Sequence, residues 1–135
     1  MAKVFMVRAD DTVDLDEGGG AGTSFYAFDA PKAGKLLVNQ CFCVWEAEAT
    51  GTQTATQGVI SIEVGGTEVA LLTANQGASV DDSQIFAADG TNNTAANAEY
   101  PIASGDSVDV KIKTIAVGGT LIGEGRVHLA FQLAD

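Results

Sequence analysis

Residues 58–73 read GVISIEVGGTEVALLT, and this stretch decides the fold class. From 60 to 64, isoleucine and valine alternate with Ser61 and Glu63, which is the period of two of a β-strand. Gly65 and Gly66 then supply the positive φ angles that a two-residue hairpin loop needs before the chain turns back into a second apolar segment. The stretch therefore predicts an antiparallel β-hairpin.

The rest of the chain shows the same period, and no stretch repeats with helical spacing over three turns. Short strands joined by turn-rich loops are typical of a sandwich or a jelly roll. We therefore predict an all-β fold: an antiparallel, jelly-roll-like β-sandwich of about eight short strands, with an N-terminal arm. Outside the hairpin, the predicted strands lie at Lys3 to Arg8, Ser24 to Asp29, Leu36 to Ala47, Val80 to Ala87, Ala98 to Ile102, Ser107 to Ile115 and Arg126 to Leu133.

One predicted strand, Leu36 to Ala47, is longer than the others and apolar on both faces. Such a strand is central in its sheet, or its second face is covered by a partner. The cover is either another protomer, which favours an oligomer, or the opposing sheet of the same chain. As one continuous strand, the segment places Leu36, Val38, Phe42 and Val44 on one face and Leu37, Cys41, Cys43 and Trp45 on the other.

The chain divides into an N-terminal segment, 1–22, and a β-sandwich domain, 23–135. The segment begins with a short apolar run and continues as an acidic, then glycine-rich hinge from Asp10 to Gly22. Because the run is more apolar than an exposed tail should be, we expect it to add a strand to a neighbouring chain. The polar stretch Ala87 to Asn97 is predicted to be a second exposed, mobile loop. The candidate partner-contact residues are Lys3, Val4, Phe5, Met6, Val7 and Arg8.

Composition and charge disfavour several classes of protein. Seven Lys and Arg residues against eighteen Asp and Glu give a formal net charge of -11, which repels nucleic acid and anionic membranes alike. The N-terminal apolar run is too short for a signal peptide, and no stretch approaches the ~18 apolar residues of a membrane-spanning helix. Cys41 and Cys43 lie two residues apart on an extended segment, which favours two reduced thiols in a cytoplasm-like compartment.

The sequence predicts no catalytic, metal or cofactor site. The acids from Asp10 to Glu17 lack the spacing of a calcium-binding EF-hand loop, so a solvated acidic loop is favoured. Zinc would need more ligands than two cysteines and His128 provide. His128 is also the only histidine that could activate a nucleophile, and burial in an apolar strand raises the pKa of a thiol. The glycines at 18–22 lack the strand before them, and the helix after them, of a phosphate-binding loop.

A group of aromatic side chains offers one further candidate site, a platform on which a sugar ring could stack. On central strands such residues more often belong to the core. The four residues are Phe25, Tyr26, Phe42 and Trp45.

Several segments, taken in order and spacing, resemble the small β-sandwich decoration, or cement, proteins of tailed-phage capsids. They are FDAPKAGKL at 28–36, the hairpin ISIEVGGTEV at 60–69, the turn IASGDSV at 102–108, and the C-terminal strand at 127–133. The resemblance covers the chain from about Phe25 onward. The acidic segment Asp10 to Glu17 and the polar loop Asp89 to Asn97 depart from the family pattern.

The resemblance implies a structural virion protein without catalytic activity, made in the host cytoplasm and placed on the capsid exterior. Its partners would be the major capsid protein, whose neighbouring subunits it clamps together, and further copies of itself in a homotrimer. The N-terminal strand would then pair with a neighbouring protomer or with the coat protein. Two alternatives remain open: a trimeric jelly-roll head that binds a receptor or a carbohydrate, and a hydrolase with a reactive Cys41 or Cys43.

Overall fold

The computed structural model describes residues 3–10, 24–45, 59–73, 85–89, 99–114 and 125–134, and most of them lie in β-strands. The strands are β1 (Lys3–Arg8), β2 (Ser24–Asp29), β3 (Gly34–Leu37), β4 (Phe42–Trp45), β5 (Val59–Val64), β6 (Thr67–Thr73), β7 (Ile85–Asp89), β8 (Glu99–Ile102), β9 (Ser107–Thr114) and β10 (Gly125–Leu133), with a 3-10 helix at Val38–Gln40.

The strands form two antiparallel sheets. In the first sheet, β2, β9, β5 and β6 lie side by side in that order. In the second, β10 lies between β1 on one edge and the successive strands β3 and β4 on the other, and these pair with β8 and β7. β7 also pairs with β6, so it joins the two sheets along one side. The predicted antiparallel β-sandwich is confirmed, with ten strands in the described residues rather than about eight.

The core lies between the sheets and is built from the inward positions of alternating strands. In β9, Val108, Val110 and Ile112 are at most 2% exposed, as the alternation predicts. The outward lysines of β9 form ion pairs instead: Lys111 with Glu63 at 2.6 Å, and Lys113 with Glu68 at 2.8 Å. The outer face of the first sheet is therefore a solvated, charge-paired surface.

The hairpin that decided the fold class is present as predicted. Gly65 and Gly66 have φ angles of 58° and 82° and connect β5 to β6 as a two-residue turn. Both angles lie in the left-handed region that side chains with a Cβ rarely adopt, so the glycines set the turn and the turn sets the register of the two strands.

The long strand predicted over Leu36 to Ala47 is wrong in one respect, because the 3-10 helix at Val38–Gln40 divides it into β3 and β4. The helix reverses which residues face inward. Leu36 pairs with Phe131 and Cys43 pairs with Val127, and all four side chains are buried. Within β3 and within β4 the residues alternate between the two faces as predicted. Between the two strands the predicted assignment is wrong, because a 3-10 turn does not preserve the two-residue period of a strand.

The break also decides what covers the second face of this segment. Leu37, Val38 and Cys41 are buried within the single chain, whereas Phe42 and Val44 on β4 turn outward and stay half-buried. Most of the apolar surface that suggested an oligomer is therefore covered by the chain itself. The only sequence signal for the break is the exposed polar pair Asn39–Gln40 inside an otherwise apolar run.

Two predicted loops fall largely outside the described residues. The hinge predicted from Asp10 to Gly22 is described only at Asp10, and the loop predicted from Ala87 to Asn97 only at its first three residues. Those three belong to β7, which reaches Asp89, so the loop prediction begins too early. Among the described residues, no helix is both long enough and apolar enough to cross a membrane.

Candidate docking surface

The candidate partner-contact segment forms the edge strand β1. It pairs antiparallel with β10 of the same chain along its whole length, from Lys3 opposite Leu133 to Arg8 opposite His128. Within the described residues, no strand pairs with its other edge. The strand predicted here is confirmed, and in this single chain it belongs to the sandwich. That it contacts a neighbouring chain stays a prediction.

β1 carries an exposed apolar surface. Val4, Phe5 and Met6 are the described large hydrophobic residues that remain exposed, at 55%, 45% and 51%. The cause is that β1 is apolar on both faces and, within the described residues, pairs on one edge only. Phe5 and Val7 lie opposite the buried Phe131 and Leu129, on the side of the core, whereas the outward face of β1 carries Val4, Met6 and Arg8.

No described strand pairs with the outward edge of the β1 main chain. Just after the strand, the Ala9 N–H donates to the Val127 carbonyl at 2.9 Å. Because residues of an antiparallel strand bond alternately to the two sides, Phe5 and Val7 bond to β10. The N–H and C=O groups of Val4, Met6 and Arg8 then point away from the sandwich.

The end of β1 is held in place by an arginine on β10. The Arg126 guanidinium donates from Nη1 to the carbonyl oxygen of Ala9 at 2.7 Å and to the carbonyl oxygen of Asp10. Ala9 itself is 1% exposed and belongs to the core. The exposed apolar side chains therefore lie on a strand that is fixed at this end.

An apolar groove runs between β1 and β2, on the side of the sandwich opposite β7. Its volume is about 430 Å³. Phe28 packs edge-on against Phe131 at 5.6 Å and lies 5.7 Å from Tyr26, measured between ring centroids. The lining residues are Phe5, Met6, Val7, Tyr26, Phe28, Asp29, Ala30, Pro31, Ile102, Phe131 and Leu133.

Two lysines stand at one end of the groove. Lys3 and Lys32 line a smaller depression that shares Phe5 and Leu133 with the groove. Neither lysine forms an ion pair with a described residue. One carboxylate, Asp29, lies among the described residues that line the groove, in a chain whose net charge is -11.

The other end of the groove is polar through Tyr26. Burial, together with the nearby carboxylate of Asp10, raises the pKa of Tyr26 above its ordinary value of 10.0. The hydroxyl therefore stays protonated at neutral pH and can donate as well as accept a hydrogen bond.

The aromatic residues considered as a sugar platform do not lie together. Phe25 and Tyr26 are in β2 and pack against the core. Phe42 lies in the other sheet, stacked on His128 with ring centroids 4.7 Å apart and an interplanar angle of 9°. The side chain of Trp45 is outside the described part of the structure.

Both thiols are buried, and Cys41 fills a gap in the ladder. The 3-10 helix leaves Ala130 without a strand residue opposite it on the side of β3 and β4, and the Ala130 N–H donates there to Cys41 Sγ at 3.5 Å. The Cys41 thiol in turn donates to the Leu37 carbonyl at 3.4 Å. Burial raises the pKa of Cys41 to about 11, as expected for a thiol in an apolar segment. This thiol is placed for packing and hydrogen bonding.

Sequence reasoning identified one wall of the groove and missed the other. Lys3 to Arg8 were selected for their apolar run, but Lys32, Tyr26 and Phe28 were not grouped with them. Pairings between residues far apart in the chain, β1 with β10 and β2 with β9, bring the two walls together. No local pattern reports that proximity.

Among the residues that the structure describes, no three His, Cys, Asp or Glu side chains cluster closely enough to hold a metal ion.

No model of a known protein family matches the chain, and no curated protein matches it.

Proposed function

We propose that this protein is a structural virion protein that binds the outer surface of a phage capsid and cements neighbouring subunits of the major capsid protein. The proposal combines the sequence resemblance with the surface that the fold presents. A negative exterior keeps a protein made in many copies apart from other copies and from the packaged genome. The binding energy then comes from shape, apolar burial and main-chain pairing.

The observation that carries the proposal is the exposed apolar edge strand β1. A free strand edge with apolar side chains is an aggregation hazard unless a partner covers it. Val4, Phe5 and Met6 are about half exposed in the single chain. A cement protein has such a partner in the capsid, and many modest contacts repeated over a closed shell stabilise the whole particle.

Self-assembly is part of the proposal, with three copies as the resemblance implies. The half-buried residues Phe42 and Val44 on the outer face of β4 and the apolar side chains of β1 are the surfaces available to a second copy. Light scattering over the micromolar range measures the mass directly. A trimer mass supports assembly in solution, and a monomer mass restricts trimerisation to the capsid surface.

The test uses capsid shells prepared with and without this protein, both unexpanded and expanded. We expect the protein to co-sediment with shells and to raise the temperature at which they rupture. Met6→Lys places a charge on the outward face of β1 and should abolish binding. Ala27→Lys adds the same charge at an exposed position on the first sheet and should leave binding unchanged, so it is the matched control.

Equal rupture temperatures with and without the protein, or no binding to either form of the shell, would contradict the proposal. The trimeric receptor- or carbohydrate-binding head would then be the leading alternative. Binding to immobilised glycans is the measurement that supports it.

A further inference from the structure

The apolar residues that β1 leaves exposed are arranged symmetrically along the strand. Val4, Phe5 and Met6 are consecutive, and they are the large hydrophobic residues that remain exposed in the part of the chain that the structure describes. Phe5 is therefore the midpoint of this apolar surface. A surface with such symmetry matches a copy of itself when a two-fold axis passes through its midpoint.

The main-chain groups of β1 have the same symmetry. Antiparallel strands exchange hydrogen bonds at alternate residues, and the bond from the Ala9 N–H to the Val127 carbonyl assigns Phe5 to β10. The N–H and C=O groups of Val4 and Met6, on either side of Phe5, point to the opposite edge. In a second copy related by an axis through Phe5, Val4 of each chain exchanges two hydrogen bonds with Met6 of the other.

This register also brings the exposed side chains together. Val4 lies opposite Met6 of the second copy on the outward face, and the two Phe5 side chains lie opposite each other on the groove side. Opposite residues without mutual hydrogen bonds are the closer pairs, with Cα atoms about 4.5 Å apart, and aromatic pairs at such positions are favourable. Lys3 lies opposite Val7, so no like charges face each other directly.

Two other pairings fit the exposed residues less well. An axis through Met6 also satisfies the alternation of hydrogen bonds, but it sets the charged Arg8 opposite Val4 twice. The first sheet ends in the edge strand β2, whose exposed residues are Ser24, Ala27 and Asp29. Pairing of β1 with β2 of another copy would therefore set apolar side chains beside a more polar edge. The pattern of apolar residues favours the axis through Phe5.

We propose that β1 pairs antiparallel with β1 of a second copy, about a two-fold axis through Phe5. The second sheets of the two copies then join into one continuous sheet, and the outward edge of each β1 is covered. Such a pair is closed, because both copies use the same strand. The exposed edge then does not lead to open-ended aggregation.

The pairing does not rest on the proposed function, although it uses the strand to which that function assigns the capsid contact. The pair is a form of the free protein, and a shell that binds β1 takes the place of the second copy. A two-fold contact by itself gives dimers. A trimer of the proposed kind uses a different surface, such as Phe42 and Val44 on β4.

The small size of β1 sets the expected strength of the pairing. The strand has six residues, whereas a standard interface has roughly 20–30 residues a side. We therefore expect a weak dimer with a Kd of about 100 µM. Sedimentation equilibrium between about 10 µM and about 1 mM should show the mass rising from one chain towards two. A mass of one chain at the highest concentration overturns the proposal.

Single cysteine substitutions test the register. A disulfide needs Cα atoms within about 7 Å of each other, so two Phe5→Cys chains can join across the axis, with oxidised glutathione as the oxidant. Val4→Cys and Met6→Cys place the two new thiols on residues about 7–8 Å apart and should form the disulfide dimer at least about fivefold more slowly.

Ala27→Cys, at an exposed position on β2, measures crosslinking by random collision. The unaltered chain, whose two thiols are buried, is the blank. Fastest crosslinking in Met6→Cys would place the axis at Met6 and overturn the proposed register. Equal rates in all four variants would show collision alone and overturn the pairing.

Proline substitutions on the two edge strands test the main-chain bonds. Met6→Pro removes an outward N–H and leaves the bonds of β1 to β10 in place. Ala27→Pro does the same on β2, since the bond from the Ala30 N–H to the Asp106 carbonyl directs the Ala27 N–H away from β9. We expect Met6→Pro to raise the Kd of the dimer at least about tenfold and Ala27→Pro to leave it unchanged. Equal Kd values in the two variants would contradict pairing through β1.

Shell binding separates this inference from the proposed function. A chain that forms the dimer with its axis at Phe5 and does not bind capsid shells keeps the inference and loses the cement function. A chain that binds shells and stays monomeric up to about 1 mM keeps the cement function and loses the inference.

Discussion

β9 and β1 are strands of similar length, but they differ in how far their apolar side chains are buried. β9 alternates strictly, lies between β2 and β5, and buries Val108, Val110 and Ile112 almost completely. β1 carries consecutive apolar residues, pairs with one described strand, and leaves Val4 and Met6 about half exposed. The outward side chains of β9 are ion-paired lysines and an aspartate, whereas the outward face of β1 is largely apolar.

The difference shows how a sequence pattern and a position in the sheet combine. Alternation identifies a strand with one wet face, and β9 has that face in solution with its charges paired. A run of apolar residues indicates a strand covered on both faces. β1 lies where the described part of the chain covers it incompletely, so apolar side chains remain exposed on its outward face.

The largest expected effect is a difference in the free energy of unfolding between a substitution in β9 and one in β1. Ile112→Ala should lower the free energy of unfolding by about 2–5 kcal/mol, because it removes fully buried methyl groups and leaves a cavity. Met6→Ala should lower it by less than about 1 kcal/mol, because half of that side chain is already in water. Urea denaturation of the two variants and the unaltered chain measures both values.

An equal loss of unfolding free energy in the two variants would contradict the comparison. It would mean that Met6 is as thoroughly buried as Ile112 in the protein in solution, and so that another copy of the chain covers β1 without a capsid. Repeating the Met6→Ala measurement across protein concentration separates the two situations, since only an oligomer's stability depends on concentration.

The second effect concerns β10, the described strand that pairs with β1. On its other side, Cys41 takes the place of a strand partner at Ala130. The pKa of Cys41 is about 11 in the folded chain and 9.0 for an ordinary thiol, so the folded state binds this proton more tightly. Its contribution to stability is complete below about pH 9 and is lost as the pH rises towards 11. A shift of this size corresponds to about 3 kcal/mol.

The measurement compares the free energy of unfolding of the unaltered chain and of Cys41→Ala at several values between pH 8 and pH 11. Both chains share every other titrating group, so the difference between the two curves isolates the thiol. We expect the unaltered chain to lose its advantage across this interval. Parallel curves would show that Cys41 is not held protonated by burial.

The smallest effects are expected when an outward side chain of each strand is replaced by the type found on the other strand. Lys113→Met removes one partner of the exposed Glu68 ion pair in β9 and should cost less than about 1 kcal/mol. Met6→Lys gives β1 an outward charge like those of β9 and should change stability by no more than about 0.5 kcal/mol. Thermal unfolding of both variants checks these values. A loss of several kcal/mol in Met6→Lys would show that the outward face of β1 is buried within the folded protein.

Much of the fold could be read from the sequence because the deciding signals are local. The alternation in β9 and β10 and the glycine pair at 65–66 depend on neighbouring residues alone. The Lys3–Arg8 strand could be predicted in the same way. The break at Val38–Gln40 could not, because an apolar run without alternation does not report which residues face inward.

The sequence by itself determined an acidic, all-β chain with a glycine hairpin and an apolar N-terminal strand, since these follow from side-chain type and spacing along a few residues. The tertiary structure alone decided that this strand pairs with β10, that Cys41 fills the gap at Ala130, and that Tyr26, Phe28 and Lys32 stand across a groove from β1. These features depend on residues that lie far apart in the chain, and only the closing of the two sheets over a common core brings them together.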